Sequence, residues 1–412
     1  MIDNDKPVVL IFTSSFAAEI DGSHARAASL LNRLASEFSN VMVYSHKNHP
    51  SHPWTEESVK LFHSRWPSVH LVIEDFSPLL ARVAAVKNLL VSLFPKRSSS
   101  ILGFSAPKQS INFETIKQQA GAFIVSYKFA LSELNGLDTS KCLVDTHDLL
   151  FAKWAKLSEK SNLSISALRK LRGELAALDA TAGVVAISPS ETSFFRMMLE
   201  NSKTFYVSSW EHLSGKANRG DNPDYQFDLV FVASGYEMNV RGFLSLLKTH
   251  GQWLSRYRIA VCGQICNDPA IIEAASGYPS IQLLGFVDNI EEIYAVSKAA
   301  LAPVDGTGLK IKIVSALEYG LPAFVSEQAF DGLPHGYDGA IFGIDQNIFQ
   351  EILENPQHLE EAQKKAASYY DRFNAMSESD HVMAAIKNIL TIPDKPRPSE
   401  PNLSLQNPAV PE

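Results

Sequence analysis

The sequence has little cysteine, no surplus of positive charge and no long apolar run. Its three cysteines in 412 residues, Cys142, Cys262 and Cys266, are too few for a disulfide framework and suit a reducing compartment. Cys262 and Cys266 are spaced like half a metal site, but no second half lies near them in the chain. They read instead as small buried hydrophobes. A net charge of −8 leaves no basic excess to neutralise a phosphate backbone, which excludes a general nucleic-acid binder. A local basic site for a small anion stays compatible with it. No apolar run reaches the ~20 residues that a membrane span needs. The segment 79–94, LLARVAAVKNLLVSLF, is the one candidate for peripheral membrane contact. Arg82 and Lys87 give it only a thin basic face, and a helix packed inside its own domain is the favoured reading.

What is present fits a larger soluble protein. A hydrophobic fraction of 45% and a charged fraction of 20% are ordinary for a globular chain, and 412 residues exceed what one core usually serves. The opening MIDNDKPVVLIFTSS is acidic, then apolar for a few residues only. It reads as a first strand rather than a secretory signal, so a cytoplasmic location is expected.

Apolar runs alternate with helical patterns, the signature of parallel sheets covered by helices on both faces. In the first half, strands are expected at 8–13, 41–44, 122–125, 142–145 and 183–187, with helices at 23–38 and 191–200 among those between them. The stretch 211–226 is polar, with Gly, Asn, Asp and Pro, as a linker should be. A second series follows at 229–232, 259–262, 281–284, 299–303 and 323–325, and 347–390 reads as wholly helical. The expected organisation is therefore a first domain over 1–210, a linker over 211–226 and a second domain over 227–373. A helix over 374–392 crosses back towards the first domain, and a Pro-rich disordered tail covers 393–412. The fold class is α/β, with two doubly wound domains facing a cleft at the carboxyl ends of their strands.

Two motifs carry chemistry. GTGLKIKIVSALEYGLP (306–322) follows a buried strand and opens a helix. Gly306, Thr307 and Gly308 let backbone N–H groups approach an anion, the helix N-terminus adds roughly half a positive charge, and Lys310 and Lys312 add mobile counter-charges. In LVDTHDLLFAKW (143–154), an Asp-Thr-His-Asp cluster ends a buried strand, which places His147 and Asp148 at the sheet edge that faces the cleft.

The glycine-lysine segment resembles, nearly residue for residue, the donor-binding segment of GT-B glycosyltransferases of the group-1, family 4-like type. FVASGYEMNVRGFLSLL (231–247), LLGFVDNIEEIYAVSKAALAPV (283–304), the D-T-H-D segment and SFAAEIDGSHARAASLL (15–31) extend the resemblance over about 8–373, most weakly between 45 and 121. It implies a nucleotide-diphosphate sugar as co-substrate, with no cofactor and no required metal. The one Asp-x-Asp run, Asp3-Asn4-Asp5, stands ahead of the first expected strand and does not resemble a metal site. The implied donor-binding set is Gly22, Ser23, Gly235, Arg241, Phe286, Val287, Gly306, Thr307, Gly308, Leu309, Lys310, Lys312 and Ser315. His147 and Asp148 form the catalytic set, His147 pointing at the transferred sugar.

One position departs from the family pattern. The family places a glutamate where this chain has Ser315, so the grip on the ribose hydroxyls passes to Glu318, one turn further along. The expected activity is a retaining, metal-independent hexosyl or deoxyhexosyl transfer to a glycan, lipid-linked or protein acceptor. Its setting would be polysaccharide biosynthesis, in the cytoplasm or at the inner membrane face. The alternative is a non-catalytic GT-B protein that binds nucleotide or carbohydrate as a partner subunit. A sugar-nucleotide epimerase of the same fold would need further carboxylates for proton abstraction, and the sequence offers none that can be identified.

Overall fold

Short runs rich in Val, Ile, Leu and Ala are apolar on both faces, so they settle as the covered interior strands of parallel sheets. The computed structural model describes residues 6–19, 21–49, 52–75, 111–126, 137–210, 224–287, 289–304, 306 and 308–392. The candidate membrane segment 79–94, most of the linker (211–223), Thr307 and the tail 393–412 lie outside the described residues.

Two parallel sheets form. The first has seven strands: β1 (Val8–Ile11), β2 (Val41–His46), β3 (His70–Glu74), β4 (Ala122–Ser126), β5 (Cys142–Asp145), β6 (Gly183–Ala186) and β7 (Lys203–Tyr206). Their spatial order is β3-β2-β1-β4-β5-β6-β7. The second has six: β8 (Phe227–Val232), β9 (Ile259–Cys262), β10 (Ile281–Gly285), β11 (Ser297–Ala302), β12 (Ala323–Val325) and β13 (Ile341–Gly343), in the order β10-β9-β8-β11-β12-β13. In each sheet the chain reverses its direction of winding beside the first strand, between β1 and β4 and between β8 and β11. Ligands of open α/β sheets bind at such switch points, beyond the carboxyl ends of the strands.

The expected strands all form, and three more complete the sheets: β3, β7 and β13. Each lies at a sheet edge. HLVIE and KTFY carry polar residues and are largely half-buried or exposed, and IFG is only three residues long, so none shows the apolar run that marks a central strand.

The helical stretch expected over 347–390 is three helices, Gln346–Leu353, Pro356–Ala375 and Ser379–Leu390. The first break falls where Asn355 accepts from the backbone N–H groups of Gln357 (3.0 Å) and His358 (3.4 Å), with Pro356 at the first helical position. The second break is fastened to β7, where the Glu378 carboxylate accepts from Tyr206 N at 2.7 Å and from Arg196 at 2.8 Å. Beyond it, the helix Ser379–Leu390 packs on the first sheet. Val382, Met383, Ile386 and Leu390 share one core with Val8, Leu10 and Leu30. The second sheet has its own core, built around Phe231, Phe243, Phe324 and Phe349. No helix among the described residues is long and apolar enough to cross a membrane.

Candidate functional site

The two domains enclose a cleft of about 990 Å³. Gly22, Ser23, His147 and Asp148 line it from the first domain, and Ser234, Tyr236, Asn239, Phe286, Val287, Leu309, Lys310, Lys312 and Ser315 from the second.

Two helix N-termini meet in this cleft. Asp21 caps the helix Gly22–Glu37, its carboxylate accepting from the N–H groups of Ser23 (2.8 Å) and His24 (3.0 Å). Opposite begins the helix Ile311–Glu318, whose start no side chain caps. They approach closely: a Cβ added to Gly22 would lie 3.1 Å from Ile311 Cδ1. Neither helix has an acidic residue in its first turn; the Asp21 carboxylate partly offsets the positive end of the first, whereas the start of Ile311–Glu318 has no such compensation.

The lysines add to that field. Lys312 Nζ donates to Asn239 Oδ1 at 2.7 Å and sits 5.0 Å above the Phe231 ring. Asn239 Nδ2 donates to the Ser234 carbonyl at 3.0 Å, which ties the lysine to the turn that follows β8. Lys310 is buried, and its ammonium donates to the Gly308 carbonyl. Burial pushes both ammonium groups down, Lys310 to about 8 and Lys312 to about 7. The positive charge of Lys310 adds to the depression at Lys312, whereas Asp148 works against it at Lys310. An anion entering the cleft therefore meets two poorly compensated amino groups and favours their charged forms.

The opposite wall is built on β4 and β5. His147 Nε2 lies 2.9 Å from Ser126 Oγ and 3.3 Å from Asp145 Oδ2. Asp145 is fully buried and receives Arg26, whose Nε lies 3.1 and 3.0 Å from its two carboxylate oxygens. The other side of the Arg26 guanidinium donates to the carbonyls of Val207 (2.9 Å) and Ser208 (3.1 Å). Burial alone would raise the Asp145 carboxyl, but the charge of Arg26 and the contact with His147 hold it below the usual carboxylate range. Burial lowers the His147 imidazole despite the pull of Asp145. A neutral ring held at a fixed angle on the cleft wall is the result.

Asp148 accepts from Lys153 at 2.8 Å and faces the glycine loop. Gly308, at φ 72°, passes so near that an added Cβ would stand 2.5 Å from Asp148 Oδ1 and 3.5 Å from Glu191 Oε1. Only glycine fits there, on both backbone conformation and space. Glu191 is buried, and its carboxyl is pushed up to about 8, chiefly by burial and then by Asp148.

Four sequence-expected residues lie elsewhere. Arg241 is exposed, 4.0 Å from Glu237, and borders a separate hollow with Ser245 and Pro303. Two residues beyond Asn239 is about 200° around a helix, so one of the two must turn away. Glu318 does not reach the cleft. It is buried and hydrogen-bonded to Tyr370, and burial pushes its carboxyl up to about 7. Gly306 borders a side pocket of about 110 Å³ with Lys153 and Lys310. Gly235 sits in the turn between the two cleft residues Ser234 and Tyr236, 3.8 Å from the Gln264 carbonyl if given a Cβ.

Arg26, Ser126 and Glu191 were not singled out from the sequence, and Asn239 stood out there only as the Asn of the segment 231–247, with no role assigned. Arg26 and Glu191 fall inside helices (Gly22–Glu37 and Pro189–Met198), where a charge normally reads as solvated surface. Cys142, Cys262 and Cys266 are all free and buried, as expected of small hydrophobes.

The fold defines the class: this is a GT-B protein. Residues 226–355 match the family described as glycosyl transferases group 1, so the resemblance seen in the sequence holds for the second domain. Among solved structures, sucrose-phosphate synthase from Thermosynechococcus elongatus is similar with a TM-score of 0.59 at 13% identity, covering 93% of this chain and 99% of that one. WaaG, a glycosyltransferase involved in lipopolysaccharide biosynthesis, gives 0.57 at 13% identity, over 92% and 99%. Anabaena HepE in complex with UDP gives 0.55 at 14% identity, over 92% and 98%. No curated protein matches by sequence.

Proposed function

We propose that the protein is a glycosyltransferase that moves a hexosyl or deoxyhexosyl group from a nucleotide-diphosphate sugar to a glycan, lipid-linked or protein acceptor, with retention of configuration. One observation carries this reading: the Lys310–Lys312 helix start faces His147 across one cleft. Transfer must stabilise a leaving diphosphate and an electron-poor sugar. The two helix N-termini and two lysines suit the diphosphate, and pre-set donors of this kind act where charge develops. Phe286 is 60% exposed and, with Val287, offers a surface for the nucleobase at the rim. Ser315, on the cleft wall, is placed for the ribose. His147, oriented by Asp145, is placed for the sugar hydroxyls. The diphosphate needs no metal in this scheme, and the work is placed in polysaccharide assembly in the cytoplasm or at the inner membrane face.

The test is thermal stabilisation by UDP, GDP, TDP and ADP, on the wild type and on Lys312→Ala, followed by nucleotide-sugar turnover. A ligand that binds only the folded state raises Tm by mass action, so one diphosphate should stand out and lose its effect in the variant. Stabilisation without turnover of any sugar donor would favour the non-catalytic partner instead, and Ser315 would then mark the lost step.

A further inference from the structure

Beside the cleft, at its first-domain rim, three side chains converge in a way the transfer reaction does not use. Asp21, His24 and His52 each offer one atom, and the three atoms lie within 4.8 Å of one another. His24 Nδ1 stands 3.8 Å from Asp21 Oδ1, and His52 Nε2 stands 3.9 Å from Asp21 Oδ2. These gaps are too long for hydrogen bonds. The gap to Oδ2 is near the ligand–ligand spacing of about 3.3 Å that metal–nitrogen bonds of 2.0–2.1 Å give in a tetrahedral site, and one atom from each residue keeps the set within 4.8 Å.

His24 supplies an independent sign. The residue is 2% exposed, and its Nδ1 is buried without a hydrogen-bond partner. Leaving a buried polar nitrogen unsatisfied costs free energy, so such an atom calls for a ligand. The other ring nitrogen, Nε2, faces Ser14 Oγ at 3.4 Å, which turns Nδ1 towards the cluster. His52 is also held in place: its carbonyl accepts from Ser15 N at 3.0 Å, and its N–H donates to His49 Nδ1 at 3.3 Å. Asp21 keeps the helix cap with Oδ1, which leaves Oδ2 for another partner. Contacts outside the cluster thus orient the His24 ring and the Asp21 carboxylate, as outer partners do around metal ligands, and hold the backbone of His52 beside them.

We propose that Asp21, His24 and His52 form a binding site for one divalent transition-metal ion of the zinc type. Two imidazole nitrogens and one carboxylate oxygen make a donor set for zinc or its neighbours and not for magnesium, which prefers oxygen. Three protein ligands leave a fourth position open. Asp21 itself lines the cleft beside Gly22 and Ser23, so the site borders that space. The site departs from the metal-free expectation but does not displace Lys310 and Lys312, which lie on the opposite wall.

Untagged protein, stripped with chelator, is titrated with Zn²⁺ by calorimetry and with Co²⁺ by visible absorption. Asp21→Asn keeps a good cap residue, and His52→Ala alters a partly exposed side chain, so both variants should fold. The expected result is one saturable site per chain, a Co²⁺ spectrum of a four-coordinate ion that Zn²⁺ abolishes, and no response to Mg²⁺. Affinity should drop at least about tenfold in both variants. Absence of saturable Zn²⁺ binding to the wild type would overturn the proposal. So would binding that is unchanged in His52→Ala, or binding that is lost in His49→Ala yet kept in Asp21→Asn, because either would locate the ion on other histidines.

Discussion

Lys312 donates to Asn239 at 2.7 Å across 73 residues of chain, joining the helix start after β11 to the first turn of the helix after β8. The bond holds the ammonium at the switch point of the second sheet. Asn239→Ala should leave Lys312 without its fixed partner and weaken nucleoside-diphosphate binding. Lys312→Met should weaken it further, by roughly the 1.5–3 kcal/mol of a hydrogen bond to a charged group. Calorimetric titration with the diphosphate chosen by the thermal panel checks both, and equal affinity in all three proteins would remove Lys312 from the site.

Binding of that anion should also depend on pH. The ammonium groups of Lys310 and Lys312 are depressed to about 8 and about 7, so Lys312 loses its proton around neutrality and Lys310 about one unit higher. A diphosphate beside them favours the charged forms, and binding should therefore take up protons between pH 7 and 9. Affinity falls as pH rises, by at most about tenfold per unit for each lysine. Titrations in buffers of different ionisation enthalpy read the uptake directly, and Lys312→Met should reduce it.

The helix Glu237–Leu254 has no room at Gly242. An added Cβ would stand 1.8 Å from the Pro303 carbonyl oxygen and 3.1 Å from Val304 Cα. Alanine favours a helix over glycine by about 1 kcal/mol, but a clash with backbone cannot be relieved by turning a side chain. Overpacking of this kind costs about 1–3 kcal/mol or more, so Gly242→Ala should be destabilising on balance. Urea unfolding measures the loss, and nucleotide affinity should fall with it, because the same helix carries Asn239.

Glu191 makes stability fall with rising pH. Its carboxyl is neutral in the folded protein up to about 8, whereas its ordinary value is 4.5. Between those values the unfolded chain releases a proton that the folded chain keeps. Each pH unit then favours unfolding by up to about 1.4 kcal/mol, and the effect levels off above pH 8. Glu191→Gln should remove this slope and raise Tm at pH 8 relative to wild type. Melting curves from pH 5 to 9 decide it, and parallel profiles for the two proteins would count against a neutral Glu191.

The interior strands were legible because strands covered on both faces must be apolar, and this constraint reaches down to individual residues such as Val8–Ile11. Edge strands need not obey it: β10 keeps the apolar run IQLLG, but β3 and β7 carry polar residues and β13 is only three residues long, so these three show no such run. The glycine-lysine loop and the D-T-H-D cluster were legible because each is contiguous. Arg26 and Asp145 are 119 positions apart, and no local pattern says that a helical arginine will turn inward to meet a strand-end carboxylate. Glu318 failed for an angular reason. The 60° between it and Ser315 is enough to carry a side chain from a cleft into the packing against Tyr370.

The last helix has a consequence for how the molecule is made. Val382, Met383 and Ile386 complete the core that begins at Val8, so the first domain to leave the ribosome is the last to be finished. At about 5–20 residues per second, its bare sheet face waits on the order of ten to thirty seconds while the second domain is synthesised. During that interval the exposed core of the nascent chain is a client for chaperones, and a ribosome that stalls before residue 379 releases a protein with an open flank.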